Sequence, residues 1–163
     1  MKPMRRKDRE VKEYEKVVEV LMNCDVVHLG LYDDEEPLSP YIVPVNYVGM
    51  VEGNQMYLYI HGAKAGRKFE LMKKNNVCSF VLDGDRQVDV LADAGDITTR
   101  YESIMGKADI IFIEGQEAID ALQYVADNYA GYDFDWNHAT EKVTSVAILK
   151  VTDWSCKINP KMV

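Results

Sequence analysis

Strand-like runs follow one another in this chain with only short turns between them, and that order limits the fold more than any other feature. Val26–Tyr32, Leu38–Val48, Met56–His61 and Val77–Leu82 are each short, apolar and rich in β-branched or aromatic residues. A polar DDEEP turn (33–37) parts the first two, and Gly53-Asn54 marks a hairpin turn after the second. Pro40 and Pro44 cannot donate to a ladder, so the strand that holds them is an edge or is bulged there. Arg100–Ile113 reads as a longer strand, with Gly106 as a bulge or bend. Val143–Val151 is the last strong run, with a continuation through Trp154 to Ile158. Residues 83–97 carry five aspartates and two glycines, which suits a long loop or a ragged extension of the neighbouring strands.

Helical patterns are fewer. Residues 8–22 repeat Val11, Tyr14, Val18 and Leu21 at three- and four-residue spacing, with Asp8 placed to cap them. A second helix fills Gly66–Lys74, and a third spans 116–130 with Gly131 at its C′ position. There is no regular β-α-β-α alternation. Strands in direct succession favour an antiparallel sheet, and one with few helices to cover it tends to close into a barrel. The fold expected is mainly β (α+β): a six- to seven-stranded antiparallel barrel with about three peripheral helices, in a single domain over residues 1–163.

The chemistry concentrates in Tyr57–Lys74, YLYIHGAKAGRKFELMKK. Lys64, Arg67, Lys68, Lys73 and Lys74 fall together in a chain of formal net charge −8. Glycines let backbone approach an anion, and a helix starting there presents free N–H groups. The segment therefore reads as a phosphate clamp, with Gly62, Gly66, Arg67 and Lys68 at its centre. The bland alternative, a helix solvated by its lysines, suits Lys73 and Lys74 well. The spacing matches neither GxxxxGK[ST] nor GxGxxG, so triphosphate and dinucleotide sites of those types are disfavoured. The cluster is too local, on too acidic a chain, for a nucleic acid.

Other candidates carry two readings each. Pro44 frees a neighbouring backbone group, and Asn46 has the donor and acceptor that an amide-like ring edge requires; both suit a solvated edge strand equally. His61 ends a strand beside the clamp, where an imidazole orients a ligand, moves a proton or makes a structural hydrogen bond. Tyr101 and Ser103 share one strand face. Trp154 caps a ring or packs on the barrel. No metal-ligand spacing is present, and Cys24, Cys78 and Cys156 read as reduced thiols. No apolar run reaches membrane-span length and the N-terminus lacks a signal-peptide core, so the expectation is a cytoplasmic protein without a membrane partner. Nucleophile elbows and carboxylate pairs are missing, so any chemistry rests on a bound cofactor.

Three segments, YIVPVNY (41–47), LYIHGAKAGRK (58–68) and YESIMGKA (101–108), resemble in order and spacing the pyridoxamine 5′-phosphate oxidase-like superfamily. The nearest likeness is to the branch that includes nitroimidazole-resistance proteins. The resemblance implies an FMN-binding split barrel and a homodimer with two FMN molecules at its interface. It implies that Pro44, Val45 and Asn46 lie along the isoalloxazine, and that His61, Gly62 and Ala63 pass beside the ring and ribityl chain. Gly66, Arg67 and Lys68 would hold the phosphate. Lys64 would compensate for an arginine missing from the Pro44–Tyr47 strand, and Tyr101 and Ser103 would reach the flavin from the partner subunit. It further implies an oxidoreductase passing electrons from NADH or NADPH through FMN to a small acceptor such as a nitro compound, with His61 as the catalytic residue. The alternative is a flavin- or haem-binding module without turnover. The chain has no arginine after Arg100, so the vitamin B6 reaction itself is not expected.

Overall fold

The fold is described from a computed structural model covering residues 3–136 and 138–159. Seven strands and three α-helices occur among these residues. In chain order they are β1 (Glu10–Val11), α1 (Tyr14–Asn23), β2 (Val26–Leu31), β3 (Tyr41–Glu52), β4 (Gln55–Ala63), α2 (Arg67–Lys74), β5 (Val77–Leu91), β6 (Asp96–Ile113), α3 (Gly115–Ala130) and β7 (Thr144–Asn159). All pairings are antiparallel. The sheet order is β1-β7-β4-β3-β2-β5-β6, and β6 also pairs with β7, which closes six strands into a barrel. Closure pairs the strands through the body of the barrel and leaves open edges only where strands part or extend beyond it.

Alternation along the strands builds the core. Met56, Leu58 and Ile60 on β4 are fully buried inside the barrel, as are Val27, Leu29 and Leu31 on β2. α1 plugs one end through Val17, Val20 and Leu21, and the Tyr47 hydroxyl donates to the Leu21 carbonyl at 2.5 Å. α3 lies across the outside of β4 and β7, where Ala121 packs with Val146 and Ile113. The Tyr124 hydroxyl ties this helix to the Gly49 carbonyl at 2.9 Å. The three cysteines are free and buried, and burial pushes Cys24 and Cys78 to about 12 and Cys156 to about 11.

The expected elements are present, with three differences. The first helix starts at Tyr14, and Asp8 does not cap it: Asp8 sits in a 3₁₀ turn, bonded to Arg6. Val11 lies on β1, and the buried stripe of α1 runs through Val17 and Val20. Residues 83–97 follow the second of their two readings, an extension of the neighbouring strands. β5 and β6 extend past the barrel as a hairpin arm from Gln87↔Arg100 to Leu91↔Asp96, turning at a 3₁₀ segment that ends on Gly95. The bulge expected at Gly106 falls instead on β7, where Lys107↔Asp153 is followed by Ala108↔Val151. Gly106 has another role. A Cβ there would lie 2.8 Å from the Phe80 ring and would collide with the Asp153 carbonyl.

Candidate functional site

The barrel splits between β3 and β4. Their ladder runs from Glu52↔Gln55 to Tyr47↔Ile60 and stops. Beyond it, β3 stays with β2, from Val26↔Asn46 to Leu31↔Tyr41, while β4 stays with β7, from His61↔Val146 to Ala63↔Thr144. A cleft therefore opens with Pro44–Asn46 on one side and His61–Ala63 on the other. Pro44 suits this place. The Tyr47 N–H donates across to Asp25, so by the two-residue period the nitrogen of Pro44 faces away from β2, toward the side β4 has left. Although β3 is central in the sheet, the proline lies at a local edge. Asn46 and Pro44 are exposed on the outer face, whereas the Val45 side chain is buried in the core and only its backbone borders the cleft.

His61 is half-buried, with the Tyr129 ring 6.5 Å from its own. Its Nδ1 is buried without a hydrogen-bond partner among the described residues. Burial, and then the neighbouring Lys68 charge, lower its pKa below the usual imidazole value, so the ring is neutral at pH 7. Gly62 faces the other way. A Cβ on it would meet Phe69 Cε2 at 2.9 Å and Lys68 Nζ at 3.2 Å. This glycine is what admits the Lys68 ammonium and the Phe69 ring beneath the strand. Lys68 Nζ lies 4.9 Å from the Phe69 centroid, has no carboxylate partner among the described residues, and is lowered in pKa by burial.

The basic cluster seen in the sequence is divided in space. Arg67 is held by the buried Asp33, with Nη2 2.5 Å from Oδ1 and Nε 3.1 Å from Oδ2, and it also reaches Glu35 at 3.1 Å. Lys74 pairs with Asp34 at 3.0 Å. The DDEEP turn thus neutralises one side of α2. Asp33 is in turn held below the ordinary carboxylate range by hydrogen bonds from Arg67. Lys68 points inward to Gly62, while Lys64 and Lys73 border a separate cavity. Gly66 precedes α2 at φ 121°, a conformation that favours glycine.

Tyr101 and Ser103 share the outer face of β6, as their spacing requires, but the single chain does not bring them to the cleft. Asn46 is opposite Val26 on β2, and Ser103 is opposite Asp83 on β5, a separation of three strands or roughly 14 Å. The Tyr101 hydroxyl accepts from Arg9 at 3.1 Å. Trp154 packs against Tyr14 at 6.4 Å, and His28 is exposed, 3.5 Å from Asp83. Two neighbours of the site, Asp33 and Tyr129, were not singled out in the sequence. The acidic run at 33–36 was the available signal for the first, since it complements a basic run some thirty residues on. The spacing of Ala118, Leu122, Val125 and Tyr129 put the second on one side of the helix at 116–130, with no link to the site. No group of three His, Cys, Asp or Glu fit to hold a metal occurs among the described residues, and no helix is long and apolar enough to cross a membrane.

This architecture recurs in solved structures. A candidate 5-nitroimidazole antibiotic resistance protein from Bacteroides thetaiotaomicron superposes with a TM-score of 0.76 at 23% identity, over 91% of this chain and 86% of that one. The flavocytochrome Anf3 from Azotobacter vinelandii gives 0.76 at 20% identity, over 98% and 73%. The FAD and heme binding protein from Mycobacterium smegmatis gives 0.77 at 15% identity, over 95% and 77%. At these identities the likeness establishes the fold. No curated protein matches the sequence significantly. The family profile described as pyridoxamine 5′-phosphate oxidase matches residues 13–157, nearly the whole barrel. The chain belongs to the pyridoxamine 5′-phosphate oxidase family.

Proposed function

We propose that this chain binds FMN in the cleft between β3 and β4 and serves as a flavin-dependent oxidoreductase acting on a small oxidised acceptor. The observation that carries the reading is a pair of unmatched polar groups on the two faces of the β4 segment that borders the cleft: the half-buried Lys68 ammonium without a carboxylate, and the buried His61 Nδ1 without a partner among the described residues. Groups left so are costly unless a ligand completes them. A phosphate suits the first and a flavin or substrate edge suits the second, so the residues present fit the cofactor.

Lys68 anchors the phosphate, with Gly66 beside it, while Lys64 turns to a separate cavity. Arg67, held by Asp33, fixes the first turn of α2 against the β2–β3 turn and so sets where Lys68 points. Asn46 and the backbone of Pro44 and Val45 face the flavin, and Gly62 and Ala63 border its chain. When bound, FMN supplies hydride and electron transfer between NADH or NADPH and an acceptor such as a nitro compound. His61, neutral at pH 7, orients the acceptor through a hydrogen bond donated by its ring N–H.

The outer face of the sheet also bears on assembly. Ile42, Met105, Val88, Val90 and Ile97 are exposed there, the last two at 68% and 67%. We read this surface as the homodimer interface, through which Tyr101 and Ser103 of one protomer reach the cleft of its partner. The test is a visible spectrum of the purified protein with added FMN, before and after NADH. Uptake with bleaching by the nicotinamide supports the reading, and a colourless protein that binds no FMN at micromolar concentration ends it. A non-catalytic flavin- or haem-binding module is the second reading. A buried neutral histidine is also a haem ligand type, and two of the similar folds belong to a flavocytochrome and to a FAD and heme binding protein. Bound flavin that NADH and NADPH leave oxidised, or a Soret band, favours it.

A further inference from the structure

A cavity of about 520 Å³ lies between the C-terminal turn of α2, the start of α3 and the start of β7. None of Asn46, His61, Gly62, Arg67 or Lys68 lines it. Its floor is apolar, formed by Phe112, Ile113, Ala118, Leu122 and Val146. Around the mouth stand Lys64, Lys73 and Lys142, exposed and without a carboxylate partner among the described residues. Lys73 Nζ is 5.7 Å from the Phe112 ring, at the boundary between floor and rim. Two acids share the rim, Glu114 and Glu141, but Glu141 is engaged by His138. On a chain of net charge −8, three uncommitted ammonium groups over an apolar floor are a local exception.

We infer that this cavity is a binding site for a small amphipathic organic anion, an aromatic or aliphatic carboxylate or sulfonate. The volume falls within the range of sites for such molecules, and the arrangement is the common one of an apolar wall with a few convergent polar groups. The apolar body of the ligand lies on Ile113, Ala118, Leu122 and Val146, and its anionic head meets Lys73 and Lys142. A bare inorganic anion lacks the part that the floor would bind. A neutral aromatic lacks the part that the rim selects. A nucleic acid or a triphosphate carries more charge than three lysines beside Glu114 would accommodate.

The experiment uses the full chain and 1-anilinonaphthalene-8-sulfonate as probe, followed by fluorescence titration at low and at moderate salt, with 2-naphthol as the uncharged competitor. Saturable binding is expected, weakened by salt and displaced poorly by 2-naphthol. Lys73→Ala and Lys142→Ala each weaken it about threefold, the scale of one exposed charge contact. Ala118→Trp fills the floor and abolishes it. Circular dichroism and FMN binding of Ala118→Trp establish that the variant is folded and that the cleft between β3 and β4 is intact, so the two proposals fail separately. Probe binding unchanged in Ala118→Trp, or insensitive to salt and to both lysine changes, overturns the assignment.

Discussion

Lys68 is placed where a cation costs stability unless something binds it. Its ammonium lies at the position a Gly62 Cβ would crowd, 3.2 Å away, and burial alone lowers its pKa. Replacing it by methionine keeps the stem and removes the charge. The apoprotein loses a cation–π contact with Phe69 of about 0.5–1 kcal/mol. It gains a sulfur–aromatic contact of about 0.3–1.5 kcal/mol in its place, together with relief from desolvating an unpaired charge. The expected change in apoprotein stability therefore runs from zero to about 1 kcal/mol in favour of Lys68→Met, a rise in Tm of up to about 4 °C for a chain of this size. FMN affinity moves the other way. A hydrogen bond to a charged group contributes about 1.5–3 kcal/mol, so Kd rises about 10- to 150-fold. Thermal denaturation followed by circular dichroism gives the first quantity, and quenching of flavin fluorescence gives the second. A variant that melts well below the wild type while binding FMN within about twofold of it would falsify the assignment, because Lys68 would then be a structural residue.

Asp33→Asn removes the carboxylate that holds Arg67. The folded-state pKa of Asp33 is depressed, so its stabilisation is present above the usual aspartate value and is lost as pH falls through the lower folded value. Melting curves between about pH 2 and pH 7 are expected to show a flatter acid limb in the variant; an unchanged limb means the pair contributes nothing to acid stability. Gly106→Ala forces a methyl group into the Phe80 ring and the Asp153 carbonyl, which β-sheet backbone cannot vacate cheaply. Urea denaturation is expected to show a loss of about 3 kcal/mol or more. Val90→Lys with Ile97→Lys places charge on the exposed face of the β5–β6 arm. For the proposed homodimer, sedimentation should show a shift from dimer to monomer; a wild type that sediments as a monomer, or a dimer that the two changes leave undisturbed, refutes this interface.

The site was legible in part. Gly62 and Gly66 were recognisable as positions where backbone meets something closely, but the partner at Gly62 is the chain's own Phe69 and Lys68, not an anion alone. The five basic residues looked like one cluster because they are close in sequence. Helical geometry disperses them: α2 turns Arg67 and Lys74 toward Asp33 and Asp34, Lys68 toward Gly62, and Lys73 toward Phe112. Spacing along a helix states which residues share a face. It does not state which acids lie opposite that face, and here they come from a turn some thirty residues earlier.

Local chemistry decided the elements. Alternating apolar residues, the Gly53-Asn54 turn and the left-handed Gly131 after α3 each act through neighbours in the chain, so they could be read without coordinates. The three matched segments identified the family on the same footing. Tertiary structure decided what the elements enclose. The parting of β3 from β4 after Tyr47↔Ile60, the closure of β6 onto β7, and the hairpin arm beyond Gln87↔Arg100 are pairings between distant segments. Many registers satisfy the same alternation pattern, and burial of one continuous core selects among them. That selection makes Pro44 a local edge within a central strand and sets Lys68 and His61 on the two faces of β4 beside its parting from β3, an arrangement that no stretch of sequence contains.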